Sequence, residues 1–192
     1  MTACDAGTYS GAGASSCAPC LAGTHLRADQ SGCDDCGADN LWSANQATEC
    51  LECTAGWFTS GGTNTTKRTA CNECPIGSAC DGTGIVIECA AGHYAAAGSS
   101  ECTPCGSDDK YLNASASGCS TCPGGSHTSG GDSTTRSRCE ACPAGFRCDG
   151  TSTVTACAAG TYSGAGAASC APCLAGTHLR ADQSLSLIHI SE

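Results

Sequence analysis

The chain has 192 residues, with eight basic and 18 acidic side chains and a net charge of −10. Its 40% hydrophobic content is mostly small or sulfur-bearing: Ala holds 31 positions and Cys 21, while Leu, Ile, Val and Phe together number 18, about 9% where a packed core needs roughly 20%. A conventional core is therefore excluded, and Cys at about 11% marks a scaffold in which crosslinks take its place.

From the start of the chain, Met1 is followed at once by Thr2, Ala3 and Cys4, already in phase with a repeat and with no charged start or apolar segment, so the sequence reads as lacking its true N-terminus. The recurring pattern is Cys, two residues, Gly, one residue, then an aromatic ring or His. It occurs at Cys4-Asp-Ala-Gly7-Thr-Tyr9, Cys20-Leu-Ala-Gly23-Thr-His25, Cys53-Thr-Ala-Gly56-Trp-Phe58, Cys89-Ala-Ala-Gly92-His-Tyr94, Cys122-Pro-Gly-Gly125-Ser-His127 and Cys157-Ala-Ala-Gly160-Thr-Tyr162. Glycine at that place predicts a turn needing positive φ, and the ring begins a short strand and can lie over a disulfide. Trp42 and Tyr111 stand one position later after Cys36 and Cys105, predicting longer entry loops. Runs such as Gly61-Gly62-Thr63-Asn64 and Ser129-Gly130-Gly131-Asp132 predict hairpin tips. Helical periodicity is nowhere sustained. The expected fold is small and disulfide-rich: an elongated array of short two-stranded β-ribbons and irregular loops, without a large hydrophobic core, in which each unit touches mainly its neighbours.

The cysteines form eight CxxC pairs, and twice a C-x5-C-x8-C step intervenes, at Cys74, Cys80, Cys89 and at Cys142, Cys148, Cys157. From Cys36 to Cys89 the offsets are 14, 3, 18, 3, 6 and 9, and from Cys105 to Cys157 they are 14, 3, 17, 3, 6 and 9. These rhythms divide the chain into a first cysteine-rich cassette at 3–88, a second at 89–156 and a truncated third at 157–184. Ala156 to Ser184 repeats Ala3 to Ser31 at 27 of 29 positions, an identity that points to recent duplication or an assembly artefact. The match then stops: Ser186 stands where Cys33 should recur. Residues 185–192, Leu-Ser-Leu-Ile-His-Ile-Ser-Glu, match codon by codon the translation of a transposon-end sequencing adapter, and are read as non-native, His189 included.

Three chemistries use CxxC. The spacing of Cys17, Cys20, Cys33 and Cys36 suits tetrahedral zinc, but the full string of cysteines does not divide into four-ligand sets, and few Lys or Arg are present to offset the charge of four thiolates. Redox chemistry of the thioredoxin kind needs a helix N-terminus in a βαβ context, which the pattern does not supply. Disulfides fit best, in an oxidising compartment. Parity favours closing each spacer by its own flanking cysteines: Cys4 with Cys17, Cys20 with Cys33, Cys36 with Cys50, Cys53 with Cys71, Cys74 with Cys80, Cys89 with Cys102, Cys105 with Cys119, Cys122 with Cys139, Cys142 with Cys148 and Cys157 with Cys170. Cys173 is left unpaired. Crossed bonding of Cys53 with Cys74 and Cys71 with Cys80, and its counterpart among Cys122, Cys139, Cys142 and Cys148, satisfies parity equally well.

Asn64-Thr-Thr66 and Asn113-Ala-Ser115 are glycosylation sequons in expected loops. His25, His127 and His178 occupy the ring slot of the unit, and with His93 they are read as packing groups rather than ligands. Asp34-Asp35 and Asp108-Asp109 are read as solvated loop charges, since no calcium loop surrounds them. No nucleophile, base and orienting acid fall together, so no enzyme and no cofactor are expected. Two Lys and six Arg, thinly spread, offer nothing to nucleic acid, and Ile85-Val86-Ile87, the longest useful apolar stretch, is far too short for membrane insertion.

Segments such as Cys157-Ala-Ala-Gly-Thr-Tyr-Ser-Gly-Ala-Gly-Ala-Ala-Ser-Cys170-Ala-Pro-Cys173 and Cys142-Pro-Ala-Gly-Phe-Arg-Cys148-Asp-Gly-Thr resemble the ephrin-receptor-like cysteine-rich repeats of the growth factor receptor cysteine-rich group, over nearly all of residues 3 to 184. A looser likeness is to tumour necrosis factor receptor modules, in which crossed bonds follow the first pair. Several units depart from the common form by lacking Pro after Cys, as at Asp5, Leu21, Thr54 and Ala90. The resemblance implies an extracellular or cell-surface rod or stalk within a larger protein, non-catalytic, acting as spacer or adhesion module toward a protein or glycan ligand. Two alternatives stand beside it: the ectodomain of a membrane signalling receptor, and an intracellular zinc-binding CxxC protein.

Overall fold

A computed structural model describes residues 3–174, 178–179 and 185–186. Among them are no helices and 22 short strands, paired antiparallel as eleven two-stranded ribbons. In the first half, β1 (Thr8–Tyr9) pairs with β2 (Ala18–Pro19), β3 (Thr24–Leu26) with β4 (Cys33–Asp35), β5 (Leu41–Trp42) with β6 (Leu51–Glu52), β7 (Trp57–Ser60) with β8 (Ala70–Glu73), and β9 (Ser78–Cys80) with β10 (Val86–Glu88). Then come β11 (His93–Tyr94) with β12 (Thr103–Pro104), β13 (Lys110–Leu112) with β14 (Cys119–Thr121), β15 (Ser126–Ser129) with β16 (Arg138–Ala141), β17 (Phe146–Cys148) with β18 (Val154–Ala156), and β19 (Thr161–Tyr162) with β20 (Ala171–Pro172). The last ribbon pairs β21 (His178–Leu179) with β22 (Leu185–Ser186), Leu179 facing Leu185. In the first copy Leu26 faces Cys33, the counterpart of Ser186, so this ribbon is one residue out of register.

Eight of the eleven ribbons are launched by a glycine turn, while β5 and β13 follow the longer entry loops after Cys36 and Cys105 and the entry to β21 lies outside the described residues. Gly7, Gly23, Gly56, Gly92, Gly125 and Gly160 all have positive φ, between 75° and 87°, and so do Gly77 and Gly145 in Cys74-Pro-Ile-Gly77 and Cys142-Pro-Ala-Gly145. The residue after each glycine donates its N–H three residues back, as Thr8 does to the Asp5 carbonyl at 3.0 Å and Trp57 to Thr54 at 3.0 Å. Positive φ at the third turn residue alone defines a type II turn, for which glycine is the low-cost choice. The same glycine then accepts, through its carbonyl, the N–H of the cysteine that ends the ribbon, as in Cys20 to Gly7 at 2.9 Å and Cys74 to Gly56 at 2.9 Å.

Strand alternation decides what lies inside. The rings at Tyr9, His25, Trp42, Phe58, Tyr94, Tyr111, His127 and Tyr162 are half-buried, while the residue after the ring is the buried one at Ser43, Thr59, Ala95, Thr128 and Ser163. A hydroxyl there would be costly unless bonded, and each reaches back to a carbonyl of the preceding ribbon. Ser43 Oγ donates to Thr24 at 2.8 Å, Thr59 Oγ1 to Asp39 at 2.5 Å, Thr128 Oγ1 to Asp108 at 2.5 Å and Ser163 Oγ to Phe146 at 2.6 Å. Among the described residues the buried apolar ones are ten cysteines with Ala79 and Ala95, so the core is sulfur and methyl groups.

The fold forms two compact units: the chain up to Cys89 with Ala95–Cys102, and Ala90–Tyr94 with the chain from Thr103 onward. In the first, Gly23 N–H donates to Ser43, Gln46 to Cys20, Gly56 to Cys80 and Gly98 to Cys74, at 2.7 to 3.0 Å. In the second, Gly125 donates to Cys148, Gly145 to Ser163 and Gly166 to Cys142, at 2.8 to 3.0 Å. Such bonds join a ribbon to the next one or two along the chain.

Candidate functional site

Ten disulfides join the cysteines in consecutive order: Cys4–Cys17, Cys20–Cys33, Cys36–Cys50, Cys53–Cys71, Cys74–Cys80, Cys89–Cys102, Cys105–Cys119, Cys122–Cys139, Cys142–Cys148 and Cys157–Cys170. Their Cα separations are 5.6 to 5.7 Å, in the usual range. The crossed arrangements are not formed, because the turns at Pro75–Ser78 and Pro143–Phe146 bring Cys74 back to Cys80 and Cys142 back to Cys148. Cys173 is a free, half-buried thiol. A disulfide density of this order is typical of chains that fold in oxidising surroundings. No helix among the described residues is long and apolar enough to cross a membrane.

Between ribbons the strongest polar links are two equivalent carboxylates. Asp39 Oδ1 accepts from Arg68 Nε at 2.5 Å, and its Oδ2 accepts from the Gly84 N–H at 3.0 Å. Asp108 Oδ1 accepts from Arg136 Nε at 2.6 Å, and its Oδ2 from the N–H and hydroxyl of Ser152 at 2.9 and 2.7 Å. Each carboxylate thus ties three successive ribbons of its own unit. The guanidinium of Arg68, helped by the Gly84 N–H, holds Asp39 below the ordinary aspartate range. For Asp108 the Ser152 N–H is the largest cause, followed by the Ser152 hydroxyl and Arg136, against opposing burial. Asp108 is thereby no solvated loop charge: its side chain is 28% exposed and fully engaged. Asp34 and Asp35 stay near the surface, paired with Arg27 at 2.8 Å and Lys67 at 3.1 Å.

Sequence reasoning missed Asp39, Arg68 and Arg136. The signal was positional: an Asp three residues after Cys36 and after Cys105, and an Arg three residues before Cys71 and before Cys139.

Both sequons are held by local hydrogen bonds. Asn64 Oδ1 accepts the Thr66 N–H at 3.0 Å and hydroxyl at 2.9 Å; Asn113 Oδ1 accepts the Ser115 hydroxyl at 3.0 Å and the Ser117 N–H at 3.2 Å. In neither does the amide nitrogen, the atom that glycan transfer modifies, donate a hydrogen bond among the described residues. Asn64 is exposed and Asn113 half-buried.

The histidines sit on separate ribbons. His25 Nδ1 lies 3.5 Å from Cys50 Sγ, so this ring does lie against a disulfide, that of the following ribbon. His25, Cys36 and Cys50 bring their ligand atoms within 4.8 Å of one another. Both sulfurs belong to one disulfide, however, and zinc is bound by thiolates, so this set offers a metal only the imidazole until the bond is reduced. His93 Nδ1 lies 3.4 Å from the Ala91 carbonyl oxygen. His127 Nε2 lies 3.9 Å from Glu140 Oε2, while its Nδ1 is buried without a partner among the described residues. The His178 side chain and His189 lie outside the described residues.

A surface cleft of about 490 Å³ is lined by Arg147, Thr155, Ala156, Ala158, Thr161 and Ser169, and one of about 200 Å³ by Leu21, Ala22, Thr24, Gly62, Thr63 and Lys67. Each joins a single cation to small hydroxyl and methyl groups. Ile85, just before strand β10, and Ile87 within it are 56% and 59% exposed. Compared with known proteins, the chain matches no family model and no curated sequence.

Proposed function

We propose that this chain is a non-catalytic repeat segment of a larger surface or secreted protein, serving as a spacer or as a platform for a protein or glycan ligand. One observation carries the reading: eight ribbons are each spanned by their own disulfide, and within each compact unit most ribbons are hydrogen-bonded to the next one or two along the chain. Such an arrangement extends by adding units, needs no growing core and depends on an oxidising environment. In the chain-entropy account each of the loops of 13 to 18 residues contributes about 3 kcal/mol and each six-residue loop about 2, enough in sum to hold a chain this poor in large apolar groups. The sequons, placed at loops, agree with passage through a secretory pathway.

The test is secretory-pathway expression followed by intact mass after alkylation under denaturing, non-reducing conditions. The expected result is one labelled thiol, Cys173, with the other twenty cysteines protected and enzymatic deglycosylation converting Asn64 and Asn113 to Asp. Labelling of most of the 21 thiols, with zinc in the native protein, would overturn the reading in favour of an intracellular metal protein.

A further inference from the structure

The ring slot before Cys36 holds a ligating side chain where the equivalent place in the second cassette holds none. His25 follows Cys20 as Tyr94 follows Cys89, and the disulfides that come next, Cys36–Cys50 and Cys105–Cys119, share a spacing of 14 residues and a Cα separation of 5.6 Å. The ribbon of Tyr94 forms without an imidazole, so the slot itself does not require one. His25 Nδ1 lies 3.5 Å from Cys50 Sγ, and this nitrogen and the two sulfurs of Cys36 and Cys50 are all within 4.8 Å of one another. Among the described residues no other three metal-ligating side chains converge in this way.

Hydrogen bonds that do not involve sulfur hold the three side chains near one another. Cys36 N–H donates to the Gly23 carbonyl at 3.2 Å, two residues before His25, and Leu26 N–H, directly after it, donates to Ala47 at 3.0 Å. Gly23 N–H donates to Ser43 at 3.0 Å, Ser43 Oγ to Thr24 at 2.8 Å and Ala22 N–H to Asn45 Oδ1 at 2.8 Å. Opening the disulfide therefore leaves the loop from Cys36 to Cys50 docked on β3. The spacing also suits a metal: in tetrahedral zinc, with bonds of about 2.3 Å to sulfur and about 2.0 Å to nitrogen, a nitrogen and a sulfur ligand stand about 3.5 Å apart and two sulfurs about 3.8 Å. His25 Nδ1 and the Cys50 sulfur already have that separation, and rotation of the two cysteine side chains parts the sulfurs once their bond is gone.

From this geometry we propose that His25, Cys36 and Cys50 form a redox-gated zinc site, closed to metal while Cys36 and Cys50 are joined and opened by small thiols. The site rests on the disulfide-closed chain proposed above. A thiolate of the small thiol attacks one sulfur of the disulfide and releases the other as a thiolate, and a second small thiolate then resolves the mixed disulfide. Two small thiols are thereby oxidised to one small disulfide, and Cys36 and Cys50 take up the two electrons and two protons. Zinc binds both sulfurs as thiolates together with Nδ1, sends the two protons to solvent and keeps a water as fourth ligand. His25 and Cys50 are half-buried, which leaves both the thiol and the ion a way in. Because zinc binds only the reduced form, it draws this one disulfide open. Cys105 and Cys119, preceded by Tyr94, supply two sulfurs and no nitrogen and respond less.

The experiment equilibrates the whole chain, with Cys173→Ser throughout to remove the free thiol, in buffers of 2-mercaptoethanol and its disulfide, without zinc and with about 100 μM zinc. Acid quenching, chelation and alkylation in denaturant, followed by peptide mass mapping, then report the state of each cysteine. Zinc is expected to make Cys36–Cys50 at least about tenfold easier to reduce, as a Kd of about 10 μM or tighter requires, and to move Cys105–Cys119 by less than about twofold. His25→Tyr, which puts in this slot the residue found at Tyr94, keeps all ten disulfides in the absence of reductant and loses the zinc effect. An unshifted Cys36–Cys50, an equal shift at Cys105–Cys119 or an undiminished shift in His25→Tyr overturns the site. Labelling of most cysteines before any reductant is added overturns instead the disulfide-closed reading beneath it.

Discussion

Gly56 has two separate reasons to be glycine, and Gly160 has only one. Both occupy the third position of a type II turn, at φ of +87° and +81°. A Cβ at Gly56 would lie against the Gly98 carbonyl oxygen, closer than real Cβ contacts come, whereas at Gly160 no described atom lies within 4 Å. Gly160→Ala therefore carries only left-handed strain, about 1 kcal/mol. Gly56→Ala carries the same strain and also pushes away the loop at Gly98, which is held by Gly98 N–H to Cys74 at 2.9 Å and Cys80 N–H to Ser99 at 3.1 Å. Loss of those two bonds adds about 1–3 kcal/mol. The disulfides keep a global transition from being a clean two-state measure, so local opening is the proper readout. Amide hydrogen exchange at Gly98 and Cys80 is expected to accelerate about 10- to 100-fold in Gly56→Ala, while Gly160→Ala leaves both unchanged. Equal behaviour of the two variants, or unaltered exchange at Gly98 and Cys80, would refute the view that close backbone approach joins the ribbons.

Asp39 and Asp108 have folded pKa values below the ordinary aspartate range, so their contribution is complete above about pH 4 and is lost as pH falls through the depressed folded values. Carboxyl NMR titration should show both below the ordinary aspartate value, with the Gly84 and Ser152 amides opening at acid pH; titration of both at the ordinary value would sink the assignment. Thr128→Val removes the donor to the Asp108 carbonyl and leaves a part-buried acceptor unpaired, at a cost of about 1–3 kcal/mol. Exchange at the Thr128 amide, which donates to Thr151 at 3.1 Å, is the measurement, and unchanged protection there would show that the hydroxyl contributes nothing.

Much of this molecule is legible in its sequence because its folding instructions are local. A glycine three residues after a cysteine must take positive φ if the chain is to reverse there, and Gly7 through Gly160 do so regardless of what packs around them. Composition alone shows that sulfur must replace large apolar side chains, and the buried cysteines do. Pairing around Cys53, Cys71, Cys74 and Cys80 lay beyond parity, because it depends on where the Pro75–Ser78 turn sends the chain. The ring of each unit was an evident candidate for burial, yet alternation gave the buried place to the small residue after it, such as Ser43 or Thr59. Asp39 and Arg68 stand 29 residues apart, and Asp39 and Gly84 45 apart. Such links follow from how ribbons dock on one another, which no window of sequence contains. Local turn chemistry and covalent crosslinks are written along the chain, whereas the carboxylate ties and the approach of His25 to Cys50 exist only once successive ribbons have met in space.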